Sequence, residues 1–233
     1  MTTLASLPRE ELECMADAGT QILEVYRVLR KGGSNVVAEV LRGADGFFEL
    51  DHYPAGDAHD PETHSQYYYH SHRPGEHGHF HTFLREQGFP DDCQPVAQSD
   101  APFMRERDDR LSHLIAISMD RFGYPIGLFT TNRWVAADNW YDASDVIRML
   151  DRFRIDIAVP SWPTSIWITA MLRLFRPEIE TLIRARDAAI ADWQRTRPQV
   201  DVFEDRDCAI TSIRNISVPT QIDRINRALG TGG

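Results

Sequence analysis

The spacing of hydrophobic residues along the chain predicts a helix first, then a series of strands, then further helices. Apolar side chains recur at helical spacing over residues 8–30, until Gly32 and Gly33 end the pattern. Runs typical of strands follow at residues 46–53, 66–72, 77–84, 113–118 and 125–130. Residues 35–41 fit a helix or a strand, whereas residues 55–64 and 88–102 have the composition of loops.

The last third of the chain has helical periodicity, with starts predicted near Ser144 or Asp145, at Pro163 and at Pro177. A strand over residues 209–218 and a short helix over 222–229 complete the pattern. The order indicates an α+β fold, with a mainly antiparallel sheet or a partial β-barrel flanked by N-terminal and C-terminal helices. We expect a single domain over residues 1–233. Its predicted parts are a helix at 8–30, a β-rich core at 44–131, a helical layer at 143–196, and a C-terminal strand and helix at 209–229.

Composition narrows the function classes. The 233 residues are 42 % hydrophobic and 26 % charged, which is ordinary for a globular protein. A net charge of −10 without a basic run argues against binding to nucleic acid. The sequence contains neither a signal-peptide pattern nor an apolar stretch long enough to cross a membrane. Three dispersed cysteines are typical of reduced thiols, so we expect a cytoplasmic protein without membrane partners. The sequence is also compatible with a homodimer.

Histidine is concentrated in one short part of the chain. Eight of the nine histidines lie between His52 and His81, and five belong to the hairpin predicted from residues 66–84. Because side chains alternate along a strand, His70 and His72 share one face, and so do His77, His79 and His81.

The turn at residues 73–76 decides whether the two sets share the same face. Pro74 and Gly75 suit a tight turn, and the resulting pairs are His72 with His77, His70 with His79, and Tyr68 with His81. The opposite face then carries the apolar Tyr67, Tyr69 and Phe80. A one-residue bulge would instead move one histidine set to the other face.

Five imidazoles on one face cannot all be protonated without strong repulsion, and a divalent cation resolves this by binding neutral nitrogens. The predicted cofactor is a transition metal such as zinc, iron, copper or nickel. The candidate ligands are His70, His72, His77, His79, His81 and His113. The candidate catalytic residues are Tyr68, which shares the histidine face, Glu76 in the turn, and Arg133, which follows a predicted strand and suits a carboxylate or aromatic ligand.

The segment from His70 to Glu76 has the H-x-H-x3-E spacing and resembles the first metal motif of the cupins. That resemblance implies a β-barrel in which His70, His72 and Glu76 bind a metal with a later histidine, here His113. The glycines that flank the cupin motif are absent, since His64 and Phe83 occupy their positions. In this alternative the three later histidines of the hairpin turn away from the site. We favour the register that keeps them, since three histidines outnumber one glutamate.

The strings SQYYYHSH at residues 65–72 and EHGHFHTF at residues 76–83 also resemble a bacterial family of uncharacterised proteins. That resemblance covers most of the chain and implies no activity.

The leading hypothesis is a metal-dependent enzyme, whether oxygenase, lyase or hydrolase, that acts on a small organic substrate. The aromatic residues near the hairpin favour an aromatic substrate. Two alternatives remain: a metal-free lyase or isomerase in which histidines and Tyr68 transfer protons, and a non-catalytic metal-binding protein.

Overall fold

A computed structural model describes residues 4–97 and 110–231 of the chain. Within these ranges it has seven α-helices and one six-stranded sheet. The helices are α1 (Arg9–Lys31), α2 (Val36–Val40), α3 (Arg133–Ala136), α4 (Ala143–Leu150), α5 (Trp162–Leu174), α6 (Arg176–Thr196) and α7 (Val218–Leu229). The strands are β1 (Tyr53–His59), β2 (Ser65–His70), β3 (Gly78–Arg85), β4 (Leu111–Met119), β5 (Pro125–Thr131) and β6 (Ile210–Asn215).

All neighbouring strands pair antiparallel, and their order in the sheet follows their order in the chain. The predicted α+β fold is therefore confirmed. The sheet is open, with β1 and β6 as its outer strands in the described part of the chain. No helix in residues 4–97 and 110–231 is long and apolar enough to cross a membrane.

One face of the sheet packs against helices. Tyr67, Tyr69 and Phe80 are completely buried on this face, and the Phe80 ring lies 5.6 Å from the Trp167 ring of α5. The Trp167 indole N–H donates a hydrogen bond of 3.1 Å to the Tyr26 hydroxyl of α1. Because these side chains alternate with the histidines along β2 and β3, the histidines lie on the other face.

A β-bulge in β4 sets the orientation of His113. Thr82 pairs with Ile115, but the next residue, Phe83, pairs with His113, so Leu114 is an extra residue in the ladder. Such an insertion reverses the alternation of side chains beyond it. His113 therefore lies on the same face as His81, whereas regular alternation with Ile115 would have placed it in the helix-packed core.

The predicted strand over residues 46–53 is wrong except at Tyr53, and the loop predicted at 55–64 is correct only for residues 60–64. Residues 46–52 are irregular, since Leu50 has a φ of +69° and the Phe48 side chain is exposed. Strand β1 begins only at Tyr53 and crosses the predicted loop. Positive φ angles at Gly56 (+81°) and Asp57 (+62°) accompany a break in its pairing with β2, which explains why its sequence has the composition of a loop.

The ambiguous segment 35–41 is helical because Asn35 caps α2. The Asn35 side-chain oxygen accepts hydrogen bonds from the backbone N–H groups of Val37 and Ala38. The surface excursion predicted at 88–102 lies partly outside the described residues. Its described part is mostly irregular and bridges to Trp140 at Ala97.

Candidate metal centre

Three histidines converge at the end of the β2–β3 hairpin, and we call His70, His72 and His79 the histidine triad. Their potential ligand atoms all lie within 4.8 Å of one another. His70 and His79 face each other across the two strands, and their Nε2 atoms are 2.7 Å apart. His70 and His79 are buried, whereas His72 is exposed. The triad is geometrically able to hold a metal ion, and its exposed member leaves one side accessible from solvent.

Glu76 orients the buried end of the triad. Its Oε1 atom lies 2.5 Å from Nδ1 of His79, and the carboxylate is almost fully buried. The Nδ1–H group of His79 therefore donates to the carboxylate, which leaves the Nε2 lone pair directed into the triad. A carboxylate bound to the far nitrogen of a histidine is the usual support for a metal ligand.

Glu76 and His79 are thus on the same side, which corrects the expectation that the two exclude each other. Strand β3 begins only at Gly78. Alternation therefore does not extend back through His77 to Glu76, and the backbone is free to direct the carboxylate toward His79.

His77 is turned away from the triad, and the predicted pair of His72 with His77 is not formed. The Nδ1 atom of His77 lies 2.7 Å from the Tyr69 hydroxyl on the helix-packed side of the sheet. Its ring stacks on Phe47, with a centroid distance of 5.0 Å. The structure therefore does not bring His77 to the candidate metal centre.

His81 and His113 form a second histidine pair beside the triad. Nδ1 of His81 lies 2.9 Å from Nε2 of His113, and both side chains are buried. The His81 ring is 4.8 Å from the ring of His79 and 5.1 Å from that of His70. The other nitrogen of His81, Nε2, is buried and has no hydrogen-bond partner among the described residues. His81 thus borders the triad with one nitrogen free to bind.

The triad imidazoles favour the neutral form. Burial and the neighbouring histidines lower the pKa of His70 to about 2. His72 is exposed in part, and its partial burial together with the nearby His79 also lowers its pKa. For His79 burial again lowers the pKa, and the opposing effect of Glu76 offsets this only in part. Neutral imidazole is the form that binds metals.

The imidazoles of His81 and His113 also favour the neutral form. Burial, together with the nearby histidines, places the pKa of His81 well below its ordinary value. Burial and the charge of Arg186 lower the pKa of His113 to about 3. This pair therefore carries no charge at neutral pH.

The rings of Tyr68 and His52 stack on each other next to the triad. The two rings stack with a centroid distance of 3.7 Å, and the Tyr68 ring is 5.1 Å from the rings of both His70 and His81. Burial raises the pKa of Tyr68 above its ordinary value, so its hydroxyl keeps its proton. Nδ1 of His52 lies 2.9 Å from a carboxylate oxygen of Asp57.

Arg133 contacts a different part of the molecule. Its Nη2 atom lies 2.8 Å from a Glu204 oxygen, and the guanidinium is 5.4 Å from the Phe203 ring. These contacts attach α3 to the segment before β6. A role for Arg133 in substrate binding stays a prediction.

The sequence interpretation did not include Arg73 or His52 among the candidate site residues. The guanidinium of Arg73 lies over the ring of Phe129 at 4.2 Å, and Phe129 also contacts His79. Its sequence position between two triad histidines was a signal that could have identified it. No comparable signal identifies His52, because the bulge in β1 creates its contact with Asp57.

We expect the Gly78→Ala variant to be destabilised by about 1–3 kcal/mol, because overpacking at a rigid position costs this much. An added Cβ atom would lie 2.5 Å from the Tyr69 hydroxyl and 2.6 Å from the backbone oxygen of His70. Urea unfolding measures the change. The matched control is Gly127→Ala in β5, where the nearest atoms are 3.5 Å from the new Cβ, and a change within about 0.5 kcal/mol is expected. Equal stability of both variants would contradict the close approach at Gly78.

Comparison with known proteins identifies the chain by family. A family model described as a domain of unknown function, DUF6969, matches residues 16–216. No curated protein and no solved structure matches the chain significantly. The expected membership of an uncharacterised family is confirmed, and neither the two motif strings nor the cupin-like motif is tested by this match. The chain therefore belongs to the DUF6969 family of domains of unknown function.

Proposed function

We propose that this protein is a metal-dependent enzyme that acts on a small organic substrate at the histidine triad. One observation carries the proposal. Three histidine nitrogens converge at a solvent-accessible site, and a buried carboxylate, Glu76, supports one of them from behind. Catalytic metal sites keep a coordination position open, whereas structural sites are closed by protein ligands.

The chemistry of the donor set fits a divalent transition metal. Nitrogens that share one ion at about 2.0–2.1 Å lie roughly 3.4 Å apart in a tetrahedral site, so the triad needs only small side-chain movements. A bound ion would also replace the contact between Nε2 of His70 and Nε2 of His79, which are 2.7 Å apart. All-nitrogen ligation suits zinc, iron, copper or nickel. Buried His81 offers an additional nitrogen beside the site.

The residues around the triad suit a small organic molecule. A bound metal of this kind activates water or polarises a substrate oxygen. Tyr68 holds a protonated hydroxyl beside the triad and is able to donate a hydrogen bond to a substrate. The rings of His52, Tyr68 and Phe129 provide flat apolar surfaces next to the site, which favours an aromatic or planar substrate.

Metal analysis of protein purified without a histidine tag tests the proposal. We expect about one equivalent of a transition metal, or uptake of one equivalent on dialysis against zinc, copper, nickel or iron(II). The fold should remain intact after chelation, because a chain of this length does not need a metal to fold. Less than about a tenth of an equivalent after dialysis against each metal would contradict the proposal.

A metal-free acid–base enzyme is the second candidate. It is favoured by the continuous chain of hydrogen-bonding groups from Glu76 through His79 to His70, with distances of 2.5 and 2.7 Å. Such a chain could transfer a proton in a lyase or isomerase reaction. Chelator treatment separates the two candidates, since only the metal-dependent enzyme loses activity.

A further inference from the structure

Arg73 has the position of an anion-binding residue beside the triad. Its guanidinium carbon lies 4.2 Å above the ring of Phe129, and the His79 ring contacts the same phenylalanine at 5.1 Å. Glu76 also connects the two residues, because one carboxylate oxygen binds His79 at 2.5 Å and the other lies 3.6 Å from Nη1 of Arg73. Phe129 and Glu76 therefore both contact the Arg73 side chain and the His79 imidazole, which fixes the two groups relative to each other.

The guanidinium of Arg73 is held in place although one of its nitrogens lacks a hydrogen bond. The Nη1 atom is buried and has no hydrogen-bond partner within residues 4–97 and 110–231, since the distance of 3.6 Å to Glu76 is too long for a hydrogen bond. The side chain as a whole is 22 % exposed, so part of it faces solvent. An arginine presents five N–H donors in a fixed planar arrangement, and leaving buried donors unpaired costs free energy.

A second nitrogen without a hydrogen-bond partner lies beside His79. The buried Nε2 atom of His81 has no partner among the described residues, and the His81 ring is 4.8 Å from the His79 ring. A buried polar atom without a partner needs an explanation, and a bound ligand is one of them. Two such atoms, on Arg73 and His81, lie near the same triad histidine.

The local charge balance favours an anionic ligand. One Glu76 oxygen contacts His79 and the other lies near Arg73, so this carboxylate offsets a single positive charge. A divalent ion at the triad would therefore leave an excess of positive charge beside Arg73, although the whole chain carries a charge of −10. Two further carboxylates act on the surroundings of the triad, Glu49 on His72 and Asp57 on His52.

We propose that Arg73 binds the carboxylate of a small organic acid whose second oxygen donor binds the metal at the triad. This inference rests on the proposed metal centre and names its substrate class: small carboxylic acids with an adjacent hydroxyl or carbonyl oxygen. Arginine suits this role because its planar donors match the two oxygens of a carboxylate. The aromatic rings beside the triad bind the remaining part of the molecule.

The test compares two probes on the cobalt(II)-loaded full-length protein, whose visible absorption changes when a ligand binds the ion. Glycolate has a carboxylate next to a hydroxyl group, and glycolamide has the same shape without the charge. We expect wild-type protein to bind glycolate more tightly than glycolamide. Arg73→Gln should weaken glycolate binding about tenfold, because a charge-assisted hydrogen bond is lost, and should change glycolamide binding by less than about twofold.

Two further variants complete the experiment. Arg121→Gln is the matched control, since Arg121 also lies over a phenylalanine, Phe122, at 4.7 Å, but in the turn between β4 and β5. It should bind both probes as wild type does. Arg73→Lys keeps the charge without the planar donors, and it should retain part of the glycolate affinity even if Arg73→Gln does not fold.

Each outcome is decisive. Unchanged glycolate binding by Arg73→Gln, or an equal loss for both probes, would overturn the role of Arg73 while leaving the metal centre in place. If Arg73→Gln does not fold, wild-type glycolate affinity in Arg73→Lys together with weakened glycolamide binding would overturn it as well. Failure of the wild-type protein to bind cobalt(II), zinc, copper, nickel or iron(II) would overturn the proposed function itself.

Discussion

The His79→Gln variant is expected to bind divalent transition metals at least about a hundredfold more weakly than the wild-type protein. His79 is the central member of the triad, because its Nε2 atom meets His70 while its Nδ1 atom is fixed by Glu76. Losing a supporting carboxylate alone typically lowers metal affinity about 10–100-fold, and losing the ligand it supports removes both contributions. Competition titration with a chromophoric chelator measures the affinity.

His77→Gln is the matched control for this variant, since the same substitution is made two positions earlier in the same hairpin. Its side chain contacts Tyr69 and Phe47 instead of the triad, so metal affinity should stay within about threefold of wild type. The metal affinity of the Glu76→Gln variant should lie between those of His79→Gln and His77→Gln. If His79→Gln binds metal normally while folding normally, the triad is not the metal site.

The metal-free protein is expected to lose stability steeply as the pH falls below about 6.5. Burial lowers the pKa of His70 to about 2 and of His113 to about 3, and the pKa of buried His81 is also far below its ordinary value. Below pH 6.5 the unfolded chain binds protons at these histidines and the folded protein does not. The stability present above pH 6.5 is therefore lost as the pH approaches 3. Each histidine contributes a slope of about 1.4 kcal/mol per pH unit, or about 4 kcal/mol for the three.

Urea unfolding followed by circular dichroism at half-unit intervals from pH 8 to pH 4 measures this slope. The variant His113→Gln should reduce the slope by about 1.4 kcal/mol per pH unit, because one titrating group is removed. Phe83→Leu is the control, since the Phe83 ring lies 5.2 Å from His113 but carries no proton. It should lower stability at every pH and leave the slope unchanged. Identical slopes for wild type and His113→Gln would show that His113 is not buried in its neutral form.

Local rules of strand geometry were sufficient to predict which residues face each other in the centre of the hairpin. Alternation along β2 and β3, combined with the turn sequence, predicted that His70 faces His79 and that Tyr68 faces His81, and both pairs are present. The same alternation placed Tyr67, Tyr69 and Phe80 on the apolar face. These predictions succeed because they depend only on neighbours within one supersecondary unit.

The position at which pairing stops could not be predicted. Regular pairing of β2 with β3 ends at His70 and His79, so residues 71–77 form a loop instead of a tight turn. That loop brings Glu76 to His79, places Arg73 over Phe129 and turns His77 away. The length of a loop depends on what its side chains contact elsewhere in the molecule, and no local pattern encodes the contact with Phe129 of β5.

The failure at residues 46–53 has a related cause. A run with aromatic and aliphatic residues is typical of a strand, but Phe47 stacks on His77 and the Phe48 backbone N–H donates to the Tyr53 hydroxyl. These residues therefore pack beside the hairpin without joining the sheet. Their contacts join segments that are separate in sequence, which propensity alone does not describe.

The extra residue at Leu114 makes the register of β4, more than the identity of one side chain, decide the direction of His113. In a regular ladder that included Leu114, this leucine would lie opposite Phe83, and His113 would share the face of Ile115 in the helix-packed core, away from His81. Deleting Leu114 would instead keep His113 opposite Phe83, because the strand would lose both the bulge and the extra residue. A related sequence that is one residue shorter at this position should therefore still bring the two histidines together, in a strand without a bulge.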